Sequence, residues 1–72
     1  MPLTLTVNGE TRVLDPAPDP ASLAAVVAQL AHNPQLVVAE HNGVIAPRSR
    51  WESTVVKDDD TLEIVTIVGG GS

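Results

Sequence analysis

The chain closes on Gly69-Gly70-Gly71-Ser72. Three glycines in a row offer no side-chain chemistry. The one reactive group such a strip can deliver is a terminal carboxyl. Glycine also loses more conformational entropy on ordering than any other residue, so the strip is expected to stay off the folded body. It is narrow enough to slide down a channel into another protein's pocket. The competing reading is an unreactive, frayed terminus.

Other residues with chemical potential are few. Asp58, Asp59 and Asp60 are consecutive. Neighbours on a turn point in different directions, and no further carboxylate follows at calcium-loop spacing, so a solvated turn is expected rather than a cation site. His32 and His41 are too far apart for a local metal motif, and there is no cysteine to complete one. Ser22, Ser49, Ser53 and Ser72 lack a nucleophile-elbow context. Lys57 is the only lysine, which leaves one site for lysine-linked modification. Trp51 is the only aromatic and is expected to plug the segment around it. Arg48 and Arg50 are expected to brace nearby carbonyls or carboxylates.

These residues need elements to position them. Residues 3–7 alternate Leu-Thr-Leu-Thr-Val, the pattern of a half-buried strand. Asn8-Gly9 marks a hairpin, and 11–14 returns as a second strand. A three-residue loop, Val7-Asn8-Gly9, would set Leu3 opposite Val13 and keep apolar with apolar; this register is preferred over a two-residue loop. Three prolines in 15–20 break regular structure. Asp19 then reads as a helix N-cap with Pro20 in the first turn. Leu23, Val26, Val27, Leu30 and Ala31 form the stripe of a helix over 21–32 with one buried face, and His32 falls in its last turn. Asn33-Pro34 stops it. Strands follow at 36–40 and 44–46, turned by Asn42-Gly43, then an irregular segment at 48–56 and a last strand at 62–68. That strand is apolar on both faces, so it belongs in the middle of the sheet, between the first and third strands and parallel to the first. The fold class is α+β, with one main helix on one face of a mixed four- to five-stranded sheet.

Only one helix is available, so one face of the last strand near its end must stay open. Val65, Ile67 and Val68 are therefore expected to form a docking patch for partner proteins. Net charge is −5 and the isoelectric point is about 4.5. Such a chain is a poor ligand for nucleic acid or anionic membranes and a better one for basic proteins. No run approaches the roughly 18 apolar residues of a membrane-spanning helix, and the start of the chain reads as no secretory leader, so a cytoplasmic setting is expected.

A hairpin, a helix, further strands and a Gly-Gly end resemble the ubiquitin-like β-grasp fold. The match is closest to the ThiS family, the sulfur carriers of thiamine biosynthesis. The resemblance runs nearly end to end. It is carried by the Ile67-Val68-Gly69-Gly70-Gly71 terminus and by Asn42, Ile45, Pro47, Arg48 and Trp51, which look like the family's N-x-x-I-V-P-R-x-x-W pattern. Ala46 stands where the family usually has Val. The resemblance implies a β-grasp domain over 1–68 and a flexible tail over 69–72. It implies a protein co-substrate, with no bound cofactor of its own. A partner adenylating enzyme would use ATP and magnesium to activate the terminal carboxylate. A persulfide from a cysteine desulfurase or a rhodanese-type protein would supply sulfur, and thiazole synthase would receive it from the thiocarboxylate. Gly71 would be the sulfur-carrying residue, Gly70 its threading neighbour and Gly69 the hinge. Ser72 departs from the pattern, because the family's reactive residue is the last glycine. It is either trimmed away, or a cloning remnant, or a bar to activation. The small subunit of molybdopterin synthase is a related alternative, and a non-reactive ubiquitin-like binding module is one of a different kind.

Overall fold

The computed structural model describes residues 1–67. Strand β1, Leu3–Val7, alternates buried and half-buried side chains as its sequence requires. It turns through Asn8 and Gly9, both at positive φ (51° and 82°), into β2, Glu10–Leu14. Two consecutive positive φ values make this the tight two-residue hairpin turn that Asn-Gly favours. The register is Leu3 with Leu14, Thr4 with Val13 and Leu5 with Arg12. The expected three-residue loop is therefore corrected. The face-matching argument fails because β2 is an edge strand whose only buried side chain is Leu14. Arg12 shares a face with Leu5 yet stays exposed, and Val13 sits open to solvent.

Among the described residues the single α-helix, α1, spans Leu23–Leu30. Its cap is Ser22, whose Oγ accepts from the Ala25 N–H at 3.1 Å, rather than Asp19. The start is displaced because Ala21 and Ser22 are drawn into extended pairing with a later segment. The Leu23 N–H donates to the Thr54 carbonyl and the Val56 N–H to the Ala21 carbonyl. The helix ends at Ala31, which is already extended. His32 thus lies past the last turn and is exposed, a second correction. A residue before proline avoids helical backbone, and Asn33 does so ahead of Pro34.

A single 3₁₀ turn, Pro34–Leu36, leads into β3, Val37–His41. Asn42-Gly43 repeats the tight turn, with φ of 53° and 84°, into β4, Val44–Ala46. A 3₁₀ turn at Arg48–Arg50 precedes Trp51, and β5 spans Thr61–Thr66. The sheet order is β2-β1-β5-β3-β4. β5 runs parallel to β1 and antiparallel to β3, in the central position expected of it. This is the β-grasp arrangement. The core between sheet and helix holds Leu3, Leu5, Val7 and Leu62 against Leu23, Val26 and Val27, closed at one end by Val37, Ala39 and Trp51. Leu30 and Ala31, the rest of the helix stripe, are partly buried at its rim.

Candidate functional site

The chemistry expected of the chain lies at its C-terminus. Val68, Gly69, Gly70, Gly71 and Ser72 fall outside the described residues. What the structure does show is how the last strand is aimed and what surrounds its exit.

The aim is set by hydrogen bonds on both sides of β5. Toward β3 the pairing is continuous from His41 with Leu62 to Val37 with Thr66. One residue further, the Ile67 N–H donates to the Leu36 carbonyl at 2.6 Å. Toward β1 the backbone pairing stops early, at Val7 with Leu62. The Asn8 carboxamide takes over, accepting from the Ile64 N–H at 2.7 Å and donating to the Ile64 carbonyl at 3.0 Å. Asn42 does similar work where β5 begins: its Oδ1 accepts from the Thr61 N–H at 2.8 Å.

Leu36, the anchor for Ile67, is itself held by the motif residues. The Arg48 guanidinium donates to the Pro34 carbonyl at 2.9 Å and to the Val37 carbonyl at 3.1 Å, so it ties both ends of the 34–36 turn. It lies 4.4 Å over the Trp51 ring. Trp51 is buried, and its Nε1–H donates to the Ala46 carbonyl at 2.9 Å. Burying an indole without a partner for its N–H is costly, and this bond avoids the penalty. The Pro47-Arg48…Trp51 segment is therefore a latch on the strand exit. Arg48 braces carbonyls as expected; Arg50 has no side-chain hydrogen bond or ion pair among the described residues. A shallow groove lined by Val38, Ile45, Pro47, Arg48, Trp51 and Ile67 runs beside the latch.

The three aspartates are not simply solvated. Asp58 Oδ1 accepts from the Thr4 N–H at 2.9 Å. Asp60 accepts from His41 Nε2 at 2.7 Å, from the Lys57 N–H at 2.9 Å and from Asn42 Nδ2 at 3.2 Å. Burial pushes the Asp60 carboxyl up, but the bonds from His41, Lys57 and Asn42 together outweigh it and hold its pKa below the ordinary value. Only Asp59 lacks such work for its side chain, and it takes the left-handed turn position at φ 69°. Among the described residues no group of three or more potential ligands is placed to hold a metal ion. The fastening roles of Asn8, Asn42 and Asp60 were not legible in the sequence. Asn-Gly signals a turn but says nothing about which distant backbone the carboxamide reaches.

The helix covers one face of the sheet and leaves the other open. Pairing registers arrange the open face in rows. Thr6 and Thr61 form one row, and Glu63, Glu40 and Ile45 the next. Val65 and Val38 lie beside the strand exit. Val65 and Ile67, two of the residues expected to dock partners, are 62% and 52% exposed. Leu36 and Ile45 add 46% and 64% exposed apolar surface around them. No helix among the described residues is long and apolar enough to cross a membrane.

Comparison with known proteins agrees with this architecture. The model of the ThiS family matches residues 5–71, which ends the match at Gly71. The crystal structure of a thiamine biosynthesis protein (ThiS) from Geobacter metallireducens superposes with a TM-score of 0.79 at 31% identity, covering 96% of this chain and all of that one. An uncharacterized protein of Pyropia yezoensis, ycf40, is 35% identical over 69 residues, 96% of this chain and 93% of that one. A thiazole synthase of Paramagnetospirillum magneticum is 34% identical over 70 residues, which are 97% of this chain but 21% of that longer protein.

Proposed function

This chain belongs to the ThiS family, and we propose that it carries sulfur for thiazole formation on the carboxyl group of Gly71. The observation that carries the reading is the family match ending at Gly71, on a fold whose last strand is fastened up to the residue before that segment. The chain is a carrier and a co-substrate, and the catalysts are its partners.

A carboxylate is a poor electrophile. An adenylating enzyme using ATP and magnesium joins it to AMP and releases pyrophosphate, which makes the acyl carbon attackable. The terminal sulfur of a protein persulfide, supplied by a cysteine desulfurase or rhodanese-type donor, attacks that carbon and AMP departs. A thiol then reduces the acyl disulfide and leaves the thiocarboxylate. Thiazole synthase takes the sulfur. Its involvement is supported by the Paramagnetospirillum magneticum protein, a thiazole synthase of which a segment is similar to this chain. The setting for these reactions is the cytosol.

Covalent geometry ties this chemistry to the described face. Four residue steps separate Ile67 from Gly71 and span at most about 14 Å when fully extended. An enzyme that acts on Gly71 works within about that distance of Ile67, and the exposed apolar side chains of Leu36, Val65 and Ile67 support docking there. Ser72 must be removed first, because an amide-bonded Gly71 has no carboxyl to activate.

The experiment is intact-mass measurement of a chain ending at Gly71 after incubation with ATP, magnesium, the adenylating enzyme of the same genome and a persulfide donor. The expected result is exchange of one oxygen for one sulfur, abolished when Ser72 is retained. No exchange with a demonstrably competent enzyme favours the non-reactive binding module.

A further inference from the structure

The same dipeptide stands at both tight turns, Asn8-Gly9 and Asn42-Gly43, and all four residues are exposed. An asparagine followed by glycine carries a latent reaction. The glycine amide nitrogen attacks the side-chain carbonyl carbon, forms a new C–N bond and gives its proton to solvent. The old bond from that carbon to the carboxamide nitrogen breaks, and the nitrogen takes a proton and leaves as ammonia. Water then opens the five-membered imide at either carbonyl. The products are aspartate and isoaspartate, in which the main chain runs through the side-chain carbonyl. One water is consumed, one ammonia is released, and nothing is oxidised or reduced. Both attacking nitrogens are accessible. The space beside Gly9 and Gly43 is open, and neither N–H donates a hydrogen bond among the described residues.

The two carboxamides differ in how they are held. Asn42 is fastened to a network. Its Oδ1 accepts from the Thr61 N–H at 2.8 Å, and its Nδ2 donates to Asp60 at 3.2 Å. Asp60 is itself held by His41 and the Lys57 N–H, and Thr61 lies within the β1–β5 ladder. A bond to a carboxylate is charge-assisted and stronger than a neutral one. Asn8 is held by Ile64 alone, through the Ile64 N–H at 2.7 Å and its carbonyl at 3.0 Å. Ile64 lies beyond the last backbone pair of that ladder, Val7 with Leu62. Freeing the Asn8 carboxamide therefore breaks two neutral bonds and leaves the ladder standing.

We propose that Asn8 is a spontaneous deamidation site that the fold restrains through Ile64, that it reacts ahead of Asn42, and that its conversion releases β1 from the outer half of β5. An aspartate at this position still accepts from the Ile64 N–H. It has no N–H for the Ile64 carbonyl, so two oxygens oppose each other where a 3.0 Å bond stood. An isoaspartate also adds a backbone atom to a turn that tolerates only two residues. Neither product refastens, so the change runs one way. The inference goes beyond the carrier reading and does not depend on it.

The test is incubation of the full chain at mildly alkaline pH, in buffer and in concentrated urea. Peptide mapping by mass spectrometry follows NH₂-for-OH exchange at each asparagine and separates aspartate from isoaspartate. In urea the two sites should convert at similar rates. In buffer Asn8 should slow by about tenfold, the worth of two neutral hydrogen bonds, and Asn42 by more. The product mimic Asn8→Asp should unfold at a lower urea concentration than wild type. Conversion of Asn42 before or together with Asn8 in buffer overturns the inference. So does conversion of Asn8 as fast in buffer as in urea, or none at Asn8 in buffer while the urea sample converts. An Asn8→Asp midpoint equal to wild type overturns the release of β5. Sulfur loading at Gly71 plays no part in these measurements, so either reading can fail without the other.

Discussion

The carboxamide of Asn8 takes both backbone bonds of Ile64, 56 residues away, at 2.7 and 3.0 Å. A side chain thereby continues the β1–β5 ladder past the point where β1 turns away. Asn8 also holds φ at 51°. The two roles separate by substitution. Asn8→Gly keeps the turn and loses the bonds, for a cost of about 1–3 kcal/mol. Asn8→Ala adds left-handed strain of about 1–2 kcal/mol. Urea unfolding of the two variants should rank them in that order; equal stability of Asn8→Gly and wild type would show the bonds to be idle.

The latch predicts a graded series at Trp51. Trp51→Ala should cost about 3–5 kcal/mol through lost packing. Trp51→Phe retains a ring but strands the Ala46 carbonyl, so it should cost less. Arg48→Lys should also destabilise, because an ammonium cannot keep both carbonyl bonds and the stacking geometry. Hydrogen exchange at the Ile67 amide offers a local readout: faster exchange in Arg48→Lys is expected, since the Leu36 carbonyl it binds sits in the turn that Arg48 ties.

Asp60 predicts the acid limb of stability. Its pKa is lowered in the folded chain, so the unfolded chain binds the proton more readily. Stability from this group is complete above the ordinary aspartate pKa of about 3.9 and drains away as pH falls through the lower folded value. Asp60→Asn should be less stable than wild type at neutral pH, with the gap narrowing on acidification. Thermal unfolding across that range checks it, and a gap that widens toward low pH contradicts the assignment.

Ile67→Asp addresses docking without touching the backbone bond to Leu36. Ile67 is half exposed, so the folded state should change by less than about 0.5 kcal/mol. Adenylation of a chain ending at Gly71 should nevertheless fall by about tenfold, given an apolar contact of order 1.4 kcal/mol. Parallel loss of stability and activity would mean that Ile67 serves the fold instead of the partner.

Much of this architecture was legible from periodicity. The Leu-Thr alternation of β1, the apolar stripe of α1 and the two-sided apolar character of β5 each encode burial, and burial decides where an element sits. The hairpin register was not legible, because face matching binds only strands that are covered, and β2 lies at an edge with Arg12 and Val13 exposed. The helix start was misread for a related reason. Asp19-Pro20 has good local capping chemistry, but the long-range pairing of Ala21 and Ser22 with residues 54–56 overrides it. The site divides in the same way. Motif residues pointed to Arg48 and Trp51, which the fold brings together, while the Glu40–Glu63 pairing exists only once β3 and β5 are set in register.

Trp51 is the sole aromatic side chain of the chain and lies between Arg48 and the Ala46 carbonyl, beside the exit of the last strand. The molecule therefore carries one aromatic chromophore, placed beside the point where β5 ends. Its emission colour and intensity speak for that spot alone, undiluted by any second ring. An unlabelled sample in a cuvette can thus reveal any event that disturbs the end of β5.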